Sequence, residues 1–204
     1  MAFSFFFRDL PTLETAAKNM IANTLGRSRV RVWVAGCAMG QEVYSLAIIL
    51  AENMGYFGFQ NLTIDATDIE ADFRPIIERG IYSRGDLERI PHQYFEKYFH
   101  PTEDPEKFQV VDRLRERVTF HLHDLLSLEP ITEGLSLIIC KNVLLHFQPE
   151  ERVEVFRMFH RALAPGGYLA NENTQKLPPE VSSLFIQIAP DTQVYKANEL
   201  SRQA

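Results

Sequence analysis

The segment Val30–Ala35 runs straight into Gly36-Cys37-Ala38-Met39-Gly40-Gln41-Glu42, and a helical pattern begins with no linker between. Val30, Val32 and Val34 alternate with Arg31 and Trp33, a period of two in a stretch too short for a helix. From Glu42 to Met54, Leu46, Ala47, Leu50, Ala51 and Met54 recur at i, i+1, i+4, i+5 and i+8, the helical period. A strand that feeds a covering helix returns as a parallel neighbour, and the resulting sheet is covered on both faces. This junction constrains the chain more than any other stretch: it commits it to an α/β fold.

The remaining segments repeat the unit. Helices are predicted over Pro11–Leu25 and Pro149–Leu163, and a short one after Asp68 is confined by Pro75. Strands are predicted over Leu62–Ala66, Leu135–Ile139, Tyr168–Asn171 and Gln193–Lys196, with Pro165-Gly166-Gly167 stopping the preceding helix. Tyr82–Arg117 departs from the pattern and reads as an insertion or small subdomain. Within it a helix at Pro91–Phe99 precedes the strand Lys107–Asp112; a solvated turn at Arg113–Arg117 then leads to the strand Val118–His123. The expectation is one α/β domain over residues 1–204, with a mainly parallel sheet and helices on both faces.

With 46% hydrophobic and 24% charged residues in 204, the chain has the composition of a globular domain, not of a disordered or collagen-like one. No apolar run approaches the roughly 18 residues of a membrane-spanning helix. The net charge of −6 offers no basic face for nucleic acid or an anionic membrane. Cys37 and Cys140, the two cysteines, lie in apolar stretches and fit a reduced, cytoplasmic protein. The burst Phe3, Phe5, Phe6, Phe7 is cut short by Arg8-Asp9; it lacks the form of an export signal and is predicted to pack onto the body.

Open α/β sheets bind ligands beyond the carboxyl ends of their strands. The first such end carries Gly36 and Gly40, which allow a tight turn and close approach but match neither a dinucleotide nor a Walker-type phosphate loop. The second ends at Asp68, a carboxylate able to accept from both hydroxyls of a ribose or simply to cap the next helix. Asp124-Leu125 follows the next, where Asp124 is placed to accept from an adenine amino group, and Lys141-Asn142 follows the fourth. Together these ends point to an adenosyl ligand without a pyrophosphate. His121, His123 and His146 lack the companion ligands of a metal centre.

The chain resembles the S-adenosylmethionine-binding domain of CheR-type chemotaxis receptor methyltransferases. The likeness rests on Ser4-Phe5-Phe6-Phe7-Arg8-Asp9, Ala35 through Ala47, Ala66-Thr67-Asp68-Ile69, Gly80-Ile81-Tyr82 and Cys140-Lys141-Asn142-Val143, in the family's order. The resemblance implies a Rossmann-like methyltransferase fold, S-adenosyl-L-methionine as cofactor with S-adenosyl-L-homocysteine as product, and methyl transfer to a protein glutamate carboxylate. It implies a protein partner of the chemoreceptor type, a helical protein. By the same resemblance, Ser4 and Arg8 reach the methionine part and the reacting centre, and Glu42 lies near the amino-acid part. Asp68 holds the ribose, Asp124 and Leu125 flank the adenine, and Lys141 and Asn142 line the site in place of an arginine-asparagine pair.

Three departures qualify the likeness. His146 stands where the family has a tyrosine near the reacting centre, and is taken as catalytic together with Arg8. Asn171-Glu172-Asn173-Thr174 replaces a Gly-His-Ser-Glu-like strand end. The family's N-terminal helical domain is expected to be absent. A different acceptor, or a non-catalytic signalling module that binds the cofactor or its product, remain the alternatives.

Overall fold

The computed structural model describes residues 4–172, 174 and 176–202. Phe3 and Asn173 therefore lie outside the described residues. In chain order the helices are α1 (Leu10–Thr24), α2 (Gln41–Asn53), α3 (Gly55–Gln60), α4 (Arg74–Arg79), α5 (His92–Tyr98), α6 (Asp112–Arg115) and α7 (Pro149–Ala162). The strands are β1 (Val30–Ala35), β2 (Leu62–Asp68), β3 (Ile81–Ser83), β4 (Phe99–Pro101), β5 (Lys107–Val110), β6 (Val118–Leu122), β7 (Leu135–Cys140), β8 (Leu163–Asn171), β9 (Phe185–Gln187) and β10 (Val194–Ala197).

Seven strands form the main sheet in the order β6-β2-β1-β7-β8-β10-β9. The first five are parallel, and β10 pairs antiparallel with both β8 and β9. The chain moves outward from β1 through β2 to β6 and then crosses back to β7 on the other side. That reversal opens a crevice between β1 and β7, the switch point of a Rossmann-like fold.

The alternation seen in the sequence sorts side chains between two cores. Val32, Val34, Leu137 and Ile139 join α1 and α2 on one face. Trp33, Ala35, Ile138 and Cys140 join Val155, Phe156 and Phe159 of α7 on the other. Helix α7 opens with a capping box between Gln148 and Glu151, Pro149 beside it and acids in its first turn.

Several boundaries differ from the sequence reading. Helix α7 stops at Ala162, because Leu163 already turns extended, and Pro165-Gly166-Gly167 lies inside β8 instead of ending the helix. There it accommodates a register shift against β7, and a Cβ on Gly167 would sit 2.7 Å from the Leu135 carbonyl oxygen. The short elements α3, β3, β4 and β9 were not anticipated, since three to six residues carry little periodicity. Arg113–Arg117 is not a bare solvated turn: it overlaps α6, Leu114 is buried, and Arg113 stacks on Phe59.

The small antiparallel sheet β3-β5-β4 stands apart from the main one. The amino-terminal arm packs against it: Phe6 is 1% exposed and meets Tyr82 and Phe99 edge-on, while Phe7 stacks on Tyr94. The Phe7 N–H donates to Ser45 Oγ at 2.8 Å, which fastens the arm to α2. Removing a ring this well enclosed leaves a cavity. Phe6→Ala is expected to lower the unfolding free energy by about 3–5 kcal/mol, read from urea denaturation.

Candidate functional site

A cleft of about 570 Å³ opens at the carboxyl ends of β1, β2, β6 and β7, a volume in the range of small-molecule sites. Ser4, Arg8, Gly36, Glu42, Asp68, Asp124, Leu125, Lys141, Asn142 and His146 all line it. Gly40 does not. It starts α2 at φ 88°, and a Cβ there would meet Ile77 and the Tyr82 hydroxyl at 2.9 Å, so its place is in the turn rather than in the cleft.

The turn after β1 is held by backbone bonds. The N–H groups of Gly36 and Cys37 both donate to the Thr67 carbonyl, at 2.8 and 2.9 Å, which ties the loop to the end of β2. Gly36 has φ 72°, and a Cβ there would lie 2.2 Å from Val143 Cγ2. Only glycine lets the segment after β7 close over this turn. Ala38, at φ 47°, donates its N–H to Asp68 Oδ2 at 2.9 Å. Asp68 Oδ1 accepts from the Glu70 N–H at 3.2 Å. The carboxylate is thus oriented by two main-chain donors and, with about four lone-pair directions, retains acceptor capacity toward the cleft.

Lys141 is the most enclosed charge of the site, with a side chain 1% exposed. Its ammonium lies 3.0 Å from Glu42 Oε2 and 3.5 Å from Asp9 Oδ2, and donates to the Arg8 carbonyl at 3.2 Å. Burial raises the Glu42 carboxyl above its ordinary value; Lys141 and then Arg8 pull it back, and Asp9 adds to the rise. The Cys37 thiol, also in the cleft, is pushed far up by burial and by Asp68, so it stays protonated and is no nucleophile.

Asp124 Oδ1 caps the short helix after β6 by accepting from the Leu126 N–H at 2.9 Å. The capping role weighed for Asp68 falls instead to Asp124: the helix turn after β2 begins at Ala71 with Glu70 as its N-cap and no side-chain cap. His146 is exposed at the cleft rim, in the turn Leu144–His146. His121 stays outside the cleft, paired with Asp65 at 2.9 Å; His123 lines it, with its ring edge-on to Trp33 and Nε2 on the Glu129 carbonyl. Among the described residues no cluster of three metal-ligating side chains occurs.

Asp9 and Glu172 were not among the residues selected from sequence. Asp9 was read only as ending the phenylalanine burst with Arg8, and Glu172 sits at a strand end whose neighbours in space are invisible along the chain. Glu172 is 2% exposed and accepts from the Asn142 N–H at 3.0 Å.

The sequence matches the family described as "CheR methyltransferase, SAM binding domain" over residues 2–194. The "Probable chemotaxis protein methyltransferase" of Rhizobium etli is 28% identical over 99% of this chain and 78% of its own length. The "Uncharacterized 104.1 kDa protein in hypE 3'region" of Rhodobacter capsulatus is 30% identical over 98% of this chain and 20% of its own length. The "Chemotaxis protein methyltransferase" of Listeria monocytogenes is 30% identical over 81% of this chain and 62% of its own length.

The electrostatics of Glu42 have a pH signature. Because burial raises its carboxyl in the folded state, the folded chain holds that proton more tightly than the unfolded chain. The corresponding stabilisation is full below the ordinary carboxylate range and is lost as pH rises through the raised folded value. The difference in unfolding free energy between wild type and Glu42→Gln should therefore shrink, then reverse or level off, as pH rises from 4.5. Urea midpoints measured across that range check it.

Proposed function

Because this chain belongs to the CheR methyltransferase family through its S-adenosylmethionine-binding domain, we propose that it transfers a methyl group to a side-chain glutamate carboxylate of a protein. The acceptor is a helical protein of the chemoreceptor type, met in the cytoplasm; among the described residues no helix is long and apolar enough to cross a membrane. The observation that carries this reading is the convergence of Arg8 and His146 on a cleft whose other wall is built from four strand ends.

The residues fit the cofactor. Gly36 lets Val143 close over the turn that forms one wall of the cleft, and Asp68 presents an oriented carboxylate of the kind that takes a ribose diol. Asp124 and Leu125 line the part of the cleft assigned to the adenine, and Glu42, held in place by the buried Lys141, offers a carboxylate oxygen to the amino group of the amino-acid part. When bound, S-adenosylmethionine supplies a methyl group on a positively charged sulfur.

A glutamate acceptor is ionised at neutral pH, with a reference pKa near 4.3, so the chain needs no general base. Its residues have to position the carboxylate in line, and orientation alone removes much of such a barrier. The guanidinium of Arg8 would hold the acceptor carboxylate by charge-assisted bonds, leaving a second lone pair on one oxygen for attack on the methyl group. His146, at the rim, donates a further hydrogen bond in the place of the family's tyrosine. Ser4 closes the same side of the cleft.

Two measurements test this reading. Titration of the purified chain with S-adenosylhomocysteine should show micromolar binding, and Asp68→Ala should weaken it by about 1–3 kcal/mol, the loss of a hydrogen-bond partner. With a chemoreceptor cytoplasmic domain and methyl-labelled S-adenosylmethionine, the chain should form base-labile methyl esters. Arg8→Ala should abolish these while S-adenosylhomocysteine affinity stays within about threefold, since a residue acting on the reacting centre lowers turnover more than ground-state binding. Labelling that survives Arg8→Ala removes Arg8 from the reaction, and absence of ester in wild type refutes the acceptor class.

A further inference from the structure

Strands β7 and β8 run parallel to their last paired residues, Cys140 opposite Asn171. One residue further on, the ladder is over, but the two chains remain joined. Glu172 turns its carboxylate inward, 2% exposed, and Oε2 accepts the Asn142 N–H at 3.0 Å. Asn142 lies two residues past the end of β7 and holds φ 61°, a left-handed conformation that L-residues adopt where their surroundings require it. Its N–H points at the buried Glu172 carboxyl.

The consequence reaches the cleft. Val143, the next residue, lies so close over Gly36 that a Cβ on the glycine would be 2.2 Å from its Cγ2. Glu172, Asn142, Val143 and Gly36 therefore form one chain of contacts from the end of β8 to the turn after β1, and Asn142, Val143 and Gly36 line the cleft. The carboxylate does not itself line that cleft. Its other oxygen, Oε1, is buried with no hydrogen-bond partner among the described residues. A buried carboxylate held so incompletely is costly to keep for packing alone, where an apolar side chain of the same size would serve.

We propose that Glu172 is a positioning residue: through the Asn142 N–H it fixes the 142–147 segment, and with it the cofactor side of the cleft. The inference rests on the reading of the cleft as an S-adenosylmethionine site. It also gives a role to the strand end at which the chain departs from the resemblance.

Hydrogen exchange on the unliganded chain, paired with titration by S-adenosylhomocysteine, tests this in two variants. Glu172→Gln keeps an oxygen to accept from Asn142, whereas Glu172→Met keeps the bulk and offers none. Amide protection over 142–147 should fall about tenfold in Glu172→Met and S-adenosylhomocysteine affinity by a similar factor, with Glu172→Gln within about twofold of wild type in both. Unchanged protection in Glu172→Met overturns the proposal, as does equal loss in both variants. Lost protection with unchanged affinity also overturns it, because the tie would then not govern the cleft. If wild type binds no S-adenosylhomocysteine the cofactor reading fails by itself, and the exchange result alone then decides whether Glu172 holds the segment. A Glu172→Met chain that does not fold while Glu172→Gln does marks the residue as purely structural, against the proposal.

Discussion

Lys141 carries its ammonium group almost wholly out of water, and three segments far apart in sequence meet around it. Glu42 comes from the start of α2, Asp9 and the Arg8 carbonyl from the amino-terminal arm, and the lysine itself from the end of β7. A buried charge without partners costs several kcal/mol, so each of these contacts constrains the others. Lys141 cannot stay inside unless Glu42 faces it, and Glu42, itself raised by burial, needs the same cation. The cleft is assembled around this group, and Arg8 is presented to it because its own carbonyl is one of the ligands.

The arm that brings Arg8 and Asp9 is anchored independently of that charge. Phe6 and Phe7 bury their rings against the small antiparallel sheet and α5, and Ser45 holds the intervening backbone. Phe7 and Asp9 take φ values of 58° and 53°, which L-residues adopt only when their surroundings require it. Aromatic burial supplies that requirement. The small sheet thus has a task in forming the site: it is the surface on which the arm is set, with Tyr82 touching both Phe6 and, through its hydroxyl, the Met39 carbonyl of the glycine turn.

Much of the fold was legible because β1 and α2 carry their periods cleanly. Val32 and Val34 went to one core and Trp33 and Ala35 to the other, as alternation requires. Long helices with caps or prolines, α1 and α7, fell within one or two residues of expectation. The failures have a common cause. Strands of three residues such as β3, β4 and β9 are made by pairing with distant partners, and Pro165-Gly166-Gly167 looked like a helix stop because its contact with the Leu135 carbonyl exists only in three dimensions. The site followed the same rule. Asp68 and Gly36 were marked by position at strand ends, whereas Gly40, with equal local credentials, proved to face Ile77 and Tyr82.

The sequence by itself determined the parallel sheet, the glycine turn after its first strand and the polar residues at four strand ends, because those follow from local period and composition. The tertiary structure alone decided which charges share a volume. Lys141 with Glu42 and Asp9, and Glu172 with Asn142, are pairings across 30 to 132 residues, and their strength depends on how far water is excluded around them. Exclusion of water is a property of the packed whole, so no stretch of the chain announces it.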